Sequence, residues 1–356
     1  MAIPSIPKTP SRGTRPTKKK ALLIGIGYTD SKTQVKLNMP HEDVMKLREF
    51  LIKQYGYSNE NITVMLDKPG ERLQPTQKNI REQASKFVEG AAAGDHFFFY
   101  YAGHSVQVPE ICPPEERTEL DGMDEVMVTS DGRTNNHQTT RESCLVDNEL
   151  KRLLINPLPA GASFMAVLDT CHSASLLDLD HNVCNAKWSC LNTIQLKTIV
   201  SLHDSRPSPQ PLASKHKHEA CARIPKREKA MPGAYNRCES PVPGRCRMPL
   251  VISISACKDD QINMENSNDK NGRSFTERLL NILRGDPHPR LRDLMKKISI
   301  SIHGMLLDAG TLQHLNAIQQ QASKNPGNSD KCQLRCQDPQ ISSDKELDME
   351  SHLETL

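Results

Sequence analysis

The chain has 356 residues, room for one large domain or two ordinary ones. A formal charge of +3 gives no argument for nucleic acid by itself, and no apolar run approaches the roughly 20 residues that cross a bilayer. Hydrophobic residues make up 36%, beside 24 prolines and 18 glycines, so part of the chain is expected outside the core.

The 11 cysteines are odd in number and lack the spacing of a small disulfide framework, so they read as reduced thiols of a cytoplasmic or nuclear protein. Residues 1–19 lack the apolar middle of a secretory signal and read as a disordered basic arm. From Lys20 the pattern becomes regular. "ALLIGIGY" (21–28) is a continuous apolar run that suits a strand buried on both faces. Pro40 opens a helix with Val44, Leu47 and Leu51 on one face. "NITVML" (61–66) predicts the next strand, and Pro75 opens a helix with a stripe of Ile80, Ala84, Phe87, Val88 and Ala91. "DHFFFYYAGH" (95–104) is a third strand. An acid-rich loop follows, then a helix from about Asp147 to Leu154 and a strand from about Ala162 to Asp169.

Residues 182–247 are rich in Pro, Ser, Lys, Arg and Cys without periodicity, which predicts a long exposed insertion. "PLVISISAC" (249–257) restores a buried strand. A helix over 272–285 turns Phe275, Leu279, Leu280 and Leu283 inward, and another lies near 289–307. A second loose insertion near 316–336 precedes a short edge strand at Gln340–Ser342. Alternating strands and helices predict an α/β fold with a mainly parallel sheet flanked by helices. In such sheets active sites gather at the carboxyl ends of the strands.

His104 and Cys171 both stand at such ends. A lone cysteine there is more often a buried structural thiol. A thiol near its ordinary pKa is only a few per cent thiolate at neutral pH, and a facing histidine removes that limit by accepting the proton. His104 suits this role better than His172, because adjacent residues on a turn point apart. Backbone N–H groups near Ser105 and Cys171 are the candidates for an oxyanion hole.

The motifs "FFFYYAGHS", "VLDTCHSASLLDL", "VISISACKDDQ", "GRSFTERLL" and "PQISSDKELDM" resemble those of metacaspases, the caspase-like cysteine peptidases of fungi, plants and protists. The resemblance runs from about Lys20 to the C-terminus, apart from the insertions, and is of a type I-like member without a long prodomain. It implies a caspase-like three-layer sandwich, with a large-subunit-like region at 20–181 and a small-subunit-like region at 248–356. It implies Cys171 as nucleophile, His104 as general base, and Asp43 and Asp169 as the acids of a pocket for Arg or Lys. The substrates it implies are basic polypeptides, including the chain itself at Lys and Arg residues of the 182–247 insertion. A monomer is expected, with neither membrane nor nucleic acid as partner.

The resemblance further implies calcium, held by oxygen ligands at Asp124, Asp147, Asn148 and Asp178. Asn148 stands where the family usually has a second aspartate, so one charge is lost. Ser105 and Ala174 replace frequent glycines beside the histidine and cysteine, and Met39 replaces a third. These departures support the alternative of a weakly active or inactive caspase-fold scaffold that binds aggregates. The cysteines at 184, 190, 238, 246, 332 and 336 lack zinc-site spacing.

Overall fold

A computed structural model describes residues 15–31, 34–111, 122–132, 134–135, 138–139, 144–171, 173, 175–179, 248–257, 263, 274–306 and 337–353. The elements in chain order are β1 (Lys19–Gly25), α1 (Pro40–Tyr55), β2 (Ile62–Leu66), α2 (Gln77–Val88), β3 (His96–Ala102), β4 (Ser105–Pro109) and β5 (Met123–Val128). Then come the hairpin β6 (Thr134–Asn135) and β7 (Gln138–Thr139), β8 (Cys144–Val146), α3 (Asp147–Leu154), β9 (Ser163–Asp169), β10 (Leu250–Ser255), α4 (Phe275–Gly285), α5 (Leu291–Leu306) and β11 (Gln340–Ser343).

Six strands form the main sheet in the order β11-β10-β9-β3-β1-β2. All neighbours are parallel except β10 and β11, so the last strand is an antiparallel edge. The apolar runs need burial on both faces because successive side chains point to opposite sides. Leu22, Ile24, Phe97, Phe99, Phe164, Ala166 and Leu168 pack with Ile80, Ala84 and Phe87 of α2 and Leu150 and Leu154 of α3. Ala21, Leu23, Phe98, Tyr100, Met165 and Val167 face the other way, against α1, α4 and α5. The result is three layers. Each fully buried large apolar side chain contributes about 1.5–3 kcal/mol of transfer free energy.

Three expectations are revised. Residues 15–19 are joined to the sheet: the Arg15 guanidinium pairs with Asp95, and Asp95 Oδ1 accepts the Lys18 N–H at 2.9 Å. The second helix starts after Pro75, where Thr76 Oγ1 accepts the Asn79 N–H at 3.3 Å as an N-cap. The acid-rich loop contains β4, β5 and β8, which form a three-stranded antiparallel sheet. Asp124 and Glu125 interrupt the apolar signal of β5, yet both are buried.

The described residues fall in one compact unit. The expected 182–247 insertion, the loop near 316–336 and residues 1–14 lie outside the described residues. No helix among the described residues is long and apolar enough to cross a membrane.

Candidate active site

β3 and β9 lie side by side in parallel, with Ala102 opposite Asp169. Their carboxyl ends therefore deliver His104 and Cys171 to the same edge of the sheet. Both line a cavity of about 130 Å³, together with Leu37, Asp43, Asp169 and Asn263.

His104 is held by its backbone as well as its ring. Its N–H donates to the Tyr28 hydroxyl at 2.8 Å, and the Tyr101 hydroxyl donates to its carbonyl at 2.6 Å. The Tyr28 ring stacks on the imidazole with centroids 4.6 Å apart. Gly103 is required here because a Cβ would lie 2.5 Å from the Tyr101 hydroxyl. Tyr28 itself adopts φ 53°, a left-handed conformation that costs an L-residue energy. The Asp67 carboxylate stabilises that turn by accepting the Gly27 and Tyr28 N–H groups at 2.7 and 2.6 Å.

The Nε2 atom of His104 lies 2.7 Å from the Val35 carbonyl oxygen. A carbonyl only accepts, so Nε2 carries the proton in the neutral ring and Nδ1 has the free lone pair. Burial lowers the pKa of His104, against the opposing pull of the Val35 carbonyl. Burial raises the pKa of the Cys171 thiol, although the Asn263 N–H donates to its sulfur at 3.2 Å. The resting pair is thus a neutral imidazole and a neutral thiol at pH 7.

Ser105, one residue beyond the histidine, points its hydroxyl at the cysteine turn. Its Oγ is 2.8 Å from Thr170 Oγ1 and donates to the Cys171 carbonyl. The side chain is therefore used as a tie between β4 and that turn. Val128 N–H donates to the His104 carbonyl, so Ser105 and Met127 form the next, non-hydrogen-bonded pair. The Ser105 N–H consequently points away from β5.

Asp43 comes from the first turn of α1 and Asp169 from the end of β9, and both are buried. Asp169 Oδ2 accepts the Thr276 N–H at 2.9 Å and its hydroxyl at 2.5 Å, and Oδ1 accepts Asn263 Nδ2 at 2.6 Å. Asp43 Oδ1 is buried with no hydrogen-bond partner, while the Ser274 hydroxyl bonds the same carboxyl group. Burial and then the Asp169 charge raise the pKa of Asp43. Burial also raises that of Asp169, opposed by the Thr276 and Asn263 donors. Three donors stabilise a negative Asp169, so the proton shared by the pair resides on Asp43.

The residues implied for calcium do not come together in this way. Asp147 Oδ2 accepts the Glu125 N–H at 2.9 Å and Oδ1 the Asn148 N–H at 2.6 Å, so this carboxylate ties the start of α3 to β5. Asn148 is exposed. Asp178, with φ 45°, pairs through Oδ2 with Lys151 Nζ at 3.1 Å, and the same ammonium donates to its carbonyl. Asp124 is buried in β5. Among the described residues no group of three or more His, Cys, Asp or Glu side chains is placed to hold a metal ion. The Lys151 ammonium thus occupies the Asp178 carboxylate that the calcium reading assigns to the ion.

Residues 19–180 match the family described as metacaspase, peptidase C14 domain. This segment is similar to a metacaspase domain. It is 36% identical over 165 residues to Metacaspase-1 of Cryptococcus neoformans, covering 46% of this chain and 33% of that protein. It is 36% identical over 163 residues to Metacaspase-1 of Schizosaccharomyces pombe, covering 46% and 35%. The matched region of the chain thus spans about a third of the length of the curated relatives. The solved structure of Caspase-1 from Spodoptera frugiperda aligns with TM-score 0.43 and 10% identity over 92% of this chain and 86% of that one. A likeness that low adds nothing to the strand order, which itself agrees with the caspase-like α/β sandwich expected for the metacaspase domain.

Sequence reasoning reached His104, Cys171, Asp43 and Asp169, and the cavity brings these four together. It missed Tyr28, Thr276 and Asn263. Only Thr276 had a local signal: "SFTE" (274–277) is a capping box, and Ser274 Oγ accepts the Glu277 N–H at 3.1 Å. His172 and Ala174 lie outside the described residues.

Proposed function

We propose that the chain is a cysteine endopeptidase that cleaves polypeptides after a basic residue. One observation carries this reading: a thiol, an imidazole and two buried carboxylates open onto a single cavity. Two acids sharing one proton form a poor site for a neutral or acidic side chain. A cation entering the pocket releases that proton and pairs with both carboxylates.

Nδ1 of His104 takes the Cys171 proton as the sulfur attacks the scissile carbonyl carbon. The oxygen gains the charge, facing the N–H groups of Ser105 and Cys171, each such donor being worth about 10²–10³ in rate. Collapse breaks the C–N bond, and the imidazolium gives its proton to the leaving amine. Water then attacks the thioester with His104 again as base, returning the thiol and a carboxylic acid. Lys and Arg residues of the 182–247 insertion are substrates of the same chemistry in this reading, which makes the chain self-processing. No step uses a metal.

The test is hydrolysis of fluorogenic peptides ending in Arg, Lys, Asp or Leu by wild type and Cys171→Ala. Cleavage of the basic peptides by wild type alone is expected. Equal rates in the two proteins, or preference for Asp or Leu, refute the reading.

A further inference from the structure

His104 is gripped from two sides, and both grips are rooted in one turn. The Tyr28 hydroxyl accepts the His104 N–H at 2.8 Å and its ring stacks on the imidazole, while the Val35 carbonyl accepts the proton on Nε2 at 2.7 Å. Val35 is 75% exposed, so packing of its own side chain does not hold that carbonyl in place. Hydrogen bonds do. The Leu37 N–H donates to the Gly27 carbonyl at 3.0 Å, the Ser31 N–H to the Tyr28 carbonyl at 3.1 Å, and the Gln34 N–H to the Ser31 hydroxyl at 3.0 Å. Val35 thus hangs from Gly27 and Tyr28.

A side chain from elsewhere in the sheet fixes that turn. Asp67 is the first residue after β2, the edge strand that lies two places from β3. Its two oxygens accept the Gly27 and Tyr28 N–H groups at 2.7 and 2.6 Å, and the His41 ring of α1 reaches the same carboxylate through Nε2. Burial pushes the Asp67 carboxyl up, yet the His41, Gly27 and Tyr28 donors outweigh it and hold it below the usual carboxylate range. A carboxylate only accepts, so His41 Nε2 carries a proton here. The contact has no slack, since a Cβ on Gly27 would lie 3.1 Å from His41 Cε1 and 3.2 Å from the Leu37 carbonyl oxygen. Neither Asp67 nor His41 lines the cavity.

A left-handed tyrosine persists only where its surroundings over-determine it. Hydrogen bonds to an ionised carboxylate are among the strong ones, and here they converge on the residue that orients the base. We propose that Asp67, clamped by His41, is a positioning residue for His104: through the Gly27–Tyr28 turn it keeps Nε2 on the Val35 carbonyl and so leaves Nδ1 bare. The role of His104 as base rests on the peptidase reading above, whereas the placement of its ring does not.

Two measurements separate those layers. First, nitrogen NMR of histidine-labelled Cys171→Ala protein distinguishes a bare ring nitrogen from a protonated one, with His104 assigned by the loss of its signals in His104→Gln. A neutral ring with the proton on Nε2 is expected. In Asp67→Ala the two signals should converge toward the average of exchanging tautomers. His41→Ala should move them the same way by less, and His41→Gln, which keeps a donor for Asp67, should restore them. Unchanged His104 signals in folded Asp67→Ala, or in His41→Ala where the first variant does not fold, overturn the proposal. Second, kcat of Asp67→Ala on basic peptides should fall about 10²-fold, the cost of a base displaced by roughly 1 Å. KM should stay in place, because Asp43 and Asp169 are untouched. A merely structural role lowers the melting temperature and leaves both ring signals and kcat as they were, and a kcat unchanged in that variant overturns the proposal as well. The expected ring behaviour without any cleavage by wild type overturns only the peptidase reading.

Discussion

Asp43→Asn tests the pocket on two axes at once. Asp43 is 1% exposed, and Oδ1 has no hydrogen-bond partner. A substrate cation about 4 Å from this carboxylate, at an effective dielectric near 20, gains about 4 kcal/mol. Part of that is spent on releasing the proton which burial and Asp169 hold on Asp43. The variant should therefore lose about 10²–10³ in kcat/KM on basic peptides. Its effect on stability has the opposite sign. A carboxyl group whose folded pKa is raised contributes stability that is full below its unfolded value, about 3.9, and is lost as pH rises through the folded value. Wild type should thus lose melting temperature between about pH 4 and pH 8, and an amide at position 43 should not. Leaving a buried group unsatisfied costs about 1–3 kcal/mol, so the two proteins should separate by roughly 2–10 °C at the alkaline end. Thermal unfolding in the Cys171→Ala background, which prevents self-digestion, reads this directly. If Asp43→Asn keeps full activity, or melts lower than wild type at every pH, the shared-proton pocket is wrong.

Alkylation of Cys171 by iodoacetamide should be slow at neutral pH and rise past pH 9, the ordinary thiol value from which burial raises it; a plateau beginning below about pH 5 would instead reveal a pre-formed thiolate–imidazolium pair. The acid limb of kcat/KM should fall below pH 6.5, since burial lowers His104 from that value and the base works only when neutral. Ser105→Ala removes the hydroxyl that ties β4 to Thr170 and the Cys171 carbonyl, so denaturant unfolding should show about 1–3 kcal/mol lost and the oxyanion donors should loosen; unchanged stability and kcat would show the tie to be idle. Millimolar calcium should raise the melting temperature of Cys171→Ala protein by less than about 1 °C, because Lys151 already pairs with Asp178; a shift of several degrees would mean that the ion displaces the ammonium.

The residues legible in the sequence are those whose position follows from periodicity. His104 and Cys171 stand just beyond apolar runs that had to be buried strands, and strand ends of a parallel sheet meet at one edge. Asp43 and Asp169 needed the metacaspase resemblance to be paired, since the packing of α1 against the end of β9 has no local signature. Tyr28 looked like the last residue of a strand. Its left-handed turn and its hydroxyl on the His104 N–H depend on Asp67 and Val128, 39 and 100 residues away. Asp147 reads as a ligand in sequence, whereas its carboxylate accepts the Asn148 N–H beside it and the Glu125 N–H of β5, 22 residues away.

The match to the metacaspase family ends at residue 180, yet the site does not. All three donors to Asp169 come from Asn263 and Thr276, and the amide is oriented by Gln337. The strand that leads to Cys171 is covered by β10 along residues Leu250–Ser255. A segment ending at 180 would leave β9 as an open, apolar edge and Asp169 as a buried charge without donors. Either defect alone is costly, because an unpaired hydrophobic edge invites association and an unsatisfied buried carboxylate takes up a proton. The sheet order thus makes the C-terminal part of the chain a requirement of the cavity at Cys171 and Asp169.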